Sequence, residues 1–238
     1  MARAVQPSPD GCARSAALDW HGQRLELRCD RTVWWAAAST LLVADPHFGK
    51  AGTFRAASVP VPAGVDGDNL ARLDAALADT AARRLVFLGD LFHARGGVDG
   101  ALLTELAVWR GRHAGLEILN VRGNHDRHAG DPPASLQIGC VRAGWCDPAF
   151  SALRFVHDPA EAEAPSGDHG TLTGHLHPAA MLDGPGRSRM RCACFHFGPD
   201  VAVLPAFGAF TGMHPVRARR GDRVFAVGPD AVVEFISD

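Results

Sequence analysis

Three short apolar runs punctuate the first half of the chain. Thr40–Ala44, Arg84–Leu88 and Leu116–Val121 are continuous and β-rich, the pattern of strands buried on both faces. Leu70, Leu73 and Leu77 fall on one stripe and predict a helix over Asn69–Ala82, with Asp66 or Asp68 as its cap. Pro60, Pro62 and Gly64 mark the loop before it. Leu102, Leu106 and Trp109 predict a second helix over Asp99–His113. Strands alternating with helices predict βαβ units and a mostly parallel sheet. Upstream, the alternation in Arg24–Cys29 and the apolar Val33–Trp35 predict a hairpin.

The second half reads differently. Leu153–Val156, Thr171–Thr173, Arg191–Phe197, Val201–Leu204, Arg223–Val227 and Ala231–Phe235 are short strands separated by Gly, Pro and Asp. They predict a second, more antiparallel sheet. The expected fold class is α/β, two packed sheets flanked by helices. Residues 1–238 read as one domain, with 1–15 as a loose leader and Ala160–Asp168 as an acidic loop.

Composition narrows the partners. The net charge of -2, with 21% charged residues, gives no global field that would draw the chain to nucleic acid or membranes. Lys50 is the only lysine among 24 Lys and Arg, which reads first as codon bias. No basic start, apolar run and cleavage site occur in the first residues, and no stretch approaches the ~18 apolar residues of a membrane helix. Cys12, Cys29, Cys140, Cys146, Cys192 and Cys194 are scattered, which points to a reducing cytoplasm.

The ends of the apolar runs carry the chemistry. They read Asp45-x-His47, Gly89-Asp90, Gly123-Asn124-His125-Asp126, Val156-His157-Asp158 and Gly174-His175-Leu176-His177. Polar loops at strand ends are where α/β sheets bind ligands. Oxygen and imidazole donors without thiolate suit Mn, Fe, Zn or Mg. Asp45, His47, Asp90, Asn124, His157, His175 and His177 exceed the needs of one ion and fit two, ~3.5–4 Å apart, sharing a carboxylate. Asp45 and His47 are expected on an extended segment, pointing the same way, with Pro46 restraining Asp45 to that conformation. Two other clusters are weaker. Cys192-x-Cys194-x-His196 reads as a strand with one buried face before it reads as a metal clip. Arg217, Arg219, Arg220 and Arg223 read either as a solvated loop or as a contact for a nucleic-acid backbone.

In that order, these motifs resemble the calcineurin-like metallophosphoesterase superfamily, over residues 40–180. The resemblance implies a four-layer α/β/β/α sandwich. It implies one ion held by Asp45, His47, Asp90 and His177, and a second by Asp90, Asn124, His157 and His175. His125 becomes the catalytic histidine and Asp126 its orienter. Ala44-Asp45-Pro46-His47-Phe48-Gly49-Lys50, Gly89-Asp90-Leu91-Phe92-His93 and Leu204 to Gly212 resemble more narrowly the ligase-associated DNA damage response endonucleases. That branch implies a manganese-favouring bacterial phosphodiesterase in DNA repair, working with a ligase and helicase system. In such a mechanism the ions activate a bridging water and His125 protonates the leaving oxygen. His93 and Arg127 are candidate substrate contacts. The metal core does not choose the substrate, so a phosphoesterase for a small nucleotide stays open. A non-catalytic scaffold is disfavoured because His125 is present.

Overall fold

The computed structural model describes residues 14–162, 169–183 and 189–235. Nearly all of the expected leader, and most of the acidic loop Ala160–Asp168, lie outside the described residues.

Seven strands form the first sheet in sequence order: β1 (Ser15–Trp20), β2 (Gln23–Arg28), β3 (Val33–Trp35), β4 (Thr40–Val43), β5 (Arg84–Phe87), β6 (Glu117–Val121) and β7 (Gly139–Val141). Strands β1 to β4 pair antiparallel, and β4 to β7 pair parallel. The sheet is therefore mixed rather than mostly parallel. The parallel half is the one fed by helices α2 (Val65–Thr80) and α3 (Gly100–Arg112), as crossovers require. The second sheet joins β8 (Trp145–Asp147), β9 (Phe150–Phe155), β10 (Gly170–Thr173), β11 (Pro178–Asp183), β12 (Arg189–Phe197), β13 (Val201–Val203), β14 (His214–Pro215), β15 (Arg223–Val227) and β16 (Val232–Phe235). Its hairpins are antiparallel, while β10 lies parallel to both β9 and β13.

The sheets face each other across a core that includes Leu27, Val33, Trp35, Leu42, Phe155, Leu172, Phe195 and Phe225. The other face of the first sheet, with Leu41, Val43, Leu85 and Phe87, is covered by Leu70, Leu73 and Leu77 of α2 and by Leu102, Leu106 and Trp109 of α3. This is the expected sandwich of two packed sheets flanked by helices. The outer face of the second sheet carries a smaller cluster around Cys194, Val224 and Ala226, with Val216 and Ala218 packed against it. Cys194 thus sits on a strand face, and His196 pairs with Asp222 at 2.8 Å; the metal clip is not formed.

Two elements differ from expectation. α2 starts at Val65 behind Gly64, whose φ is 82°, and neither Asp66 nor Asp68 caps it. Asp66 Oδ1 instead accepts the Gly49 N–H at 3.1 Å, tying α2 to the start of α1 (Lys50–Ala56). Asp99 does cap α3, accepting the Leu102 N–H at 2.9 Å. No described helix is long and apolar enough to cross a membrane.

Phe155 of the second sheet is fully buried beside Trp35 of the first, with ring centroids 6.3 Å apart. Phe155→Ala is expected to lower unfolding free energy by about 3–5 kcal/mol. Urea denaturation checks this, and a loss below about 1 kcal/mol would mean that the sheets do not share this core.

Candidate metal centre

Parallel strands deliver their carboxyl ends to one edge, and five loops meet there. Asp45 follows β4, Asp90 follows β5, Asn124 and His125 follow β6, His157 follows β9, and His175 and His177 bridge β10 and β11. Asp45, His47, Asp90 and His157 are buried in it.

The backbone reaches the cup by bending sharply. Asp45, His47, Asp90, His175 and His177 all have positive φ, from 45° to 70°. Such conformations cost of order 1–3 kcal/mol each and persist only where surroundings enforce them. Asp45 is therefore not extended, despite Pro46. Three bonds enforce the bend: the His47 N–H to the Asp90 carbonyl at 3.0 Å, Phe48 N–H to Leu91 carbonyl at 2.9 Å, and Gly208 N–H to the Asp45 carbonyl at 3.1 Å. Asp45 and His47 face one cup because the loop turns, not because a strand alternates.

Each loop glycine has a steric reason. A Cβ on Gly89 would strike the His157 ring, one on Gly123 the Asp90 carboxylate, and one on Gly174 the Asp45 carboxylate at 2.6 Å. The side chains of the cup lie directly against the backbone of its neighbouring loops.

Among the described residues three donor groups result: one of imidazoles alone, His47, His93 and His125, and two that include a carboxylate. His177 Nε2 lies 3.4 Å from His47 Nε2 and 3.7 Å from Asp45 Oδ1. His157 Nε2 lies 3.3 Å from Asp90 Oδ1, 3.0 Å from Asn124 Oδ1 and 3.2 Å from His175 Nδ1. Asp90 stands between the groups, its Oδ2 3.9 Å from His47 Nε2. Within Asp45, His47 and His177, and within Asp90, His157 and His175, the donor atoms all lie within 4.8 Å of one another. These groups can hold metal ions. The fit rests on Asp45: Oδ2 accepts the His175 N–H at 2.9 Å, but the buried Oδ1 has no hydrogen-bond partner. A buried carboxylate oxygen left without a donor calls for a cation. His157 Nδ1 approaches the Leu88 carbonyl at 2.8 Å, which leaves Nε2 directed at Asp90.

His125 stands at the rim, its side chain 35% exposed and its Nε2 3.9 Å from Asp90 Oδ2. Its orienting partner is not Asp126. His125 Nδ1 sits 2.5 Å from the His93 carbonyl. Asp126 Oδ2 instead accepts from the Asp90 N–H, the Gly123 N–H and the Asn120 amide, at 2.8 to 3.1 Å. The carboxylate is buried behind the loops and sets the backbone of both. Asn120 is the residue sequence reasoning passed over, and a polar side chain inside an apolar strand was its signal. The His93 ring stacks on His125 at 4.8 Å and on Phe54 at 6.1 Å, forming one wall of the cup. Phe54 in turn meets the exposed Phe210 edge-on at 5.6 Å. Arg127 points away to Glu161 at 3.0 Å, and Arg122 pairs with Asp131.

Electrostatics follow from burial. Burial pushes His47 down to about 2, with the attraction of Asp90 too weak to offset it. Burial also pushes His93 down, to about 4. For His157 burial acts downward too, but the hydrogen bond to Asp90 and the charges of Asp45 and Asp90 outweigh it, raising the imidazole to about 9. Burial alone would raise Asp90; the hydrogen bond to His157 reverses this and holds it at about 2. In metal-free protein the His157 proton thus supplies the positive charge the carboxylates lack. Its stabilising contribution is complete below pH 6.5 and fades as pH rises through about 9. Neutral His47 acts oppositely, since below pH 6.5 the unfolded chain takes up a proton that the folded one refuses. Metal-stripped protein is therefore expected to melt highest near pH 6.5, with melting temperature falling on both sides. A melting temperature that rises steadily from pH 5 to 9 would contradict this balance. Gly123→Ala is expected to weaken metal binding about 10- to 100-fold by displacing Asp90, as read by calorimetric titration with manganese. Unchanged affinity would show that Asp90 is not held where the structure puts it.

No family model matches the chain, and no curated protein matches it. Among solved structures, the nuclease MPE of Pseudomonas putida superposes with a TM-score of 0.77 and 38% identity, covering 92% of this chain and 99% of that one. Yfce, a phosphoesterase from E. coli, aligns over 83% of this chain and 97% of its own, at 13% identity and a TM-score of 0.42, too distant to carry an argument. With identity at that level across nearly all of both chains, and with a donor cup at the sheet edge of this chain, the chain belongs to the metallophosphoesterase family, in the branch that includes the Pseudomonas putida nuclease.

Proposed function

We propose that this protein is a dinuclear-metal phosphodiesterase that cuts nucleic acid. The observation that carries the reading is the meeting of two donor groups around Asp90 with a histidine at their rim. Asp45, His47, Asp90 and His177 would hold one ion, and Asp90, Asn124, His157 and His175 the other. Manganese is the favoured metal on this donor set, with Fe, Zn and Mg able to substitute. Bound ions of this kind lower the pKa of a coordinated water and neutralise charge on phosphoryl oxygens.

The chain's own residues do the rest. The His93 carbonyl fixes the His125 ring by its Nδ1, so Nε2 faces the cup and can give its proton to the leaving oxygen. Asp126 holds the Asp90 and Gly123 backbone in register and acts as a positioning residue. His93 closes the wall and is the substrate contact this geometry favours; the Arg127 pairing with Glu161 makes it a weaker one. The nucleic-acid substrate is supported by the likeness to a nuclease and by the Phe54–Phe210 pair beside the cup, which offers bases an aromatic surface. The reading extends to DNA repair alongside a ligase and helicase system, on the strength of the branch motifs. It takes the chain as one domain, supported by the core shared between the sheets. A cytoplasmic setting is supported by the free thiols of Cys29, Cys140, Cys192 and Cys194.

Elemental analysis and a substrate panel test this together. Asp90→Ala is expected to lose metal and turnover. His125→Ala is expected to keep its metal and lose about 10²–10⁴ in kcat on a diester with a poor leaving group. Wild-type turnover by His125→Ala would remove it as the acid. The panel holds single-stranded and nicked DNA, a small chromogenic diester and a nucleoside monophosphate. Activity confined to the monophosphate would favour a small-nucleotide phosphoesterase, and metal without any hydrolysis would favour a scaffold.

A further inference from the structure

The β2–β3 turn lies on the same sheet edge as the cup, since Val33 at the start of β3 pairs with Leu42 near the end of β4. Beside that turn is a cavity of about 540 Å³ lined by Arg14, Arg31, Arg72 and Arg191 together with Asp30 and Met213. The four arginines come from the chain's start, the β2–β3 turn, α2 and β12, and they converge only in the fold.

Their partners are unusual. Arg31 donates to the Ala206 carbonyl at 3.2 Å, Arg72 to the Phe207 carbonyl at 2.5 Å and Arg191 to the Met213 carbonyl at 3.0 Å. Among the described residues, no carboxylate lies within 4 Å of any of the four guanidinium groups. Asp30, the one acid lining the cavity among the described residues, is already engaged by Arg28 and by the backbone and hydroxyl of Thr32. Asp30 and Asp68 act on Arg72 only from a distance, and burial and the neighbouring Arg31 together hold its pKa down at about 10. Arg31 and Arg72 are half-buried like charges without a counter-ion, with the exposed Arg14 and Arg191 at the cavity's edge, and such a group marks a place that an anion would stabilise.

The carbonyls that hold these arginines belong to the segment that also walls the cup. Ala206 bridges Ala44, Gly208 donates to the Asp45 carbonyl, and His214, next to Met213, donates to the His177 carbonyl. The cavity is thus separated from the donor groups by one segment of chain. Resting on the nuclease reading above, we propose that this cavity is a phosphate subsite for the nucleic-acid strand, holding a backbone phosphate outside the one being cut. Guanidinium forks suit phosphate oxygens, and the site supplies positive charge that the chain as a whole, at -2, does not.

Arg14→Glu and Arg191→Glu, both at exposed side chains, test this singly and combined, in metal-loaded full-length protein. The double variant is expected to lower the ratio of kcat/KM on a DNA 20-mer to kcat/KM on bis(4-nitrophenyl) phosphate about tenfold. The slope of log kcat/KM against log salt on DNA is expected to flatten by about 0.7–0.9 for each phosphate that goes unneutralised. Arg24→Glu/Arg83→Glu, with the same charge change at exposed arginines on the opposite edge of the first sheet, is expected to leave both readouts in place. An unmoved ratio and slope in Arg14→Glu/Arg191→Glu, or equal effects in the control pair, would overturn the subsite while leaving the nuclease reading intact. An equally large loss on a mononucleotide diester would assign the cavity to small phosphates instead, overturning the strand subsite. A wild-type protein that hydrolyses the chromogenic diester but no DNA would bring down the nuclease reading, and this inference with it.

Discussion

Two buried carboxylates cannot be held at the edge of a sheet sandwich without positive charge between them. Asp45 is 0% and Asp90 is 2% exposed. Isolated ionised carboxylates are costly to bury, and the effective penalty is several kcal/mol per ion. The surroundings answer with four imidazoles, one amide and a buried carboxylate oxygen that no donor reaches. In the metal-free chain His157 takes a proton to meet the demand, placing positive charge between the two carboxylates.

The same constraint explains the backbone. Side chains from five loops must crowd into one cup, so the loops run against each other at distances that leave no room for a Cβ at Gly89, Gly123 or Gly174. Five donor residues accept left-handed backbone to reach it. What enforces that strain is a lattice of main-chain bonds between the loops after β4 and β5, with Asp126 behind them bonding the next loop to the same lattice. The large sheet cores beneath supply the rigidity against which these loops are bent. Stability and chemistry are therefore arranged in opposition: regular, dry packing below, strained and polar turns above.

Much of this was legible in the chain. Continuous apolar runs at Thr40, Arg84 and Leu116 are strands because both faces are covered, and the polar residues closing them could only emerge at a common edge. The helical stripe of Leu102, Leu106 and Trp109 became α3 with Asp99 as its cap. What the pattern hid was decided by distant partners. β1, β8, β11 and β14 draw their order from neighbouring strands, and α1 is a seven-residue helix held by tertiary contacts. Pro46 argues locally for an extended Asp45, and three long-range hydrogen bonds override it. Asp126 sits beside His125 in sequence but turns its carboxylate to Gly123, Asn120 and Asp90, because buried N–H groups there needed an acceptor. The conspicuous arginine run near Arg223 turned out in part to be a pair with Glu234, whereas Arg14, Arg31, Arg72 and Arg191 are spread over the whole chain and gather only once both sheets are built.

The central claim is that the cup holds a pair of divalent cations with Asp90 between them. Anomalous diffraction from crystals grown with manganese tests it most directly. The account predicts two peaks about 3.5–4 Å apart, one beside Asp45, His47 and His177 and the other beside Asn124, His157 and His175, both in contact with Asp90. A single peak, or manganese bound elsewhere while the cup binds none, would contradict it.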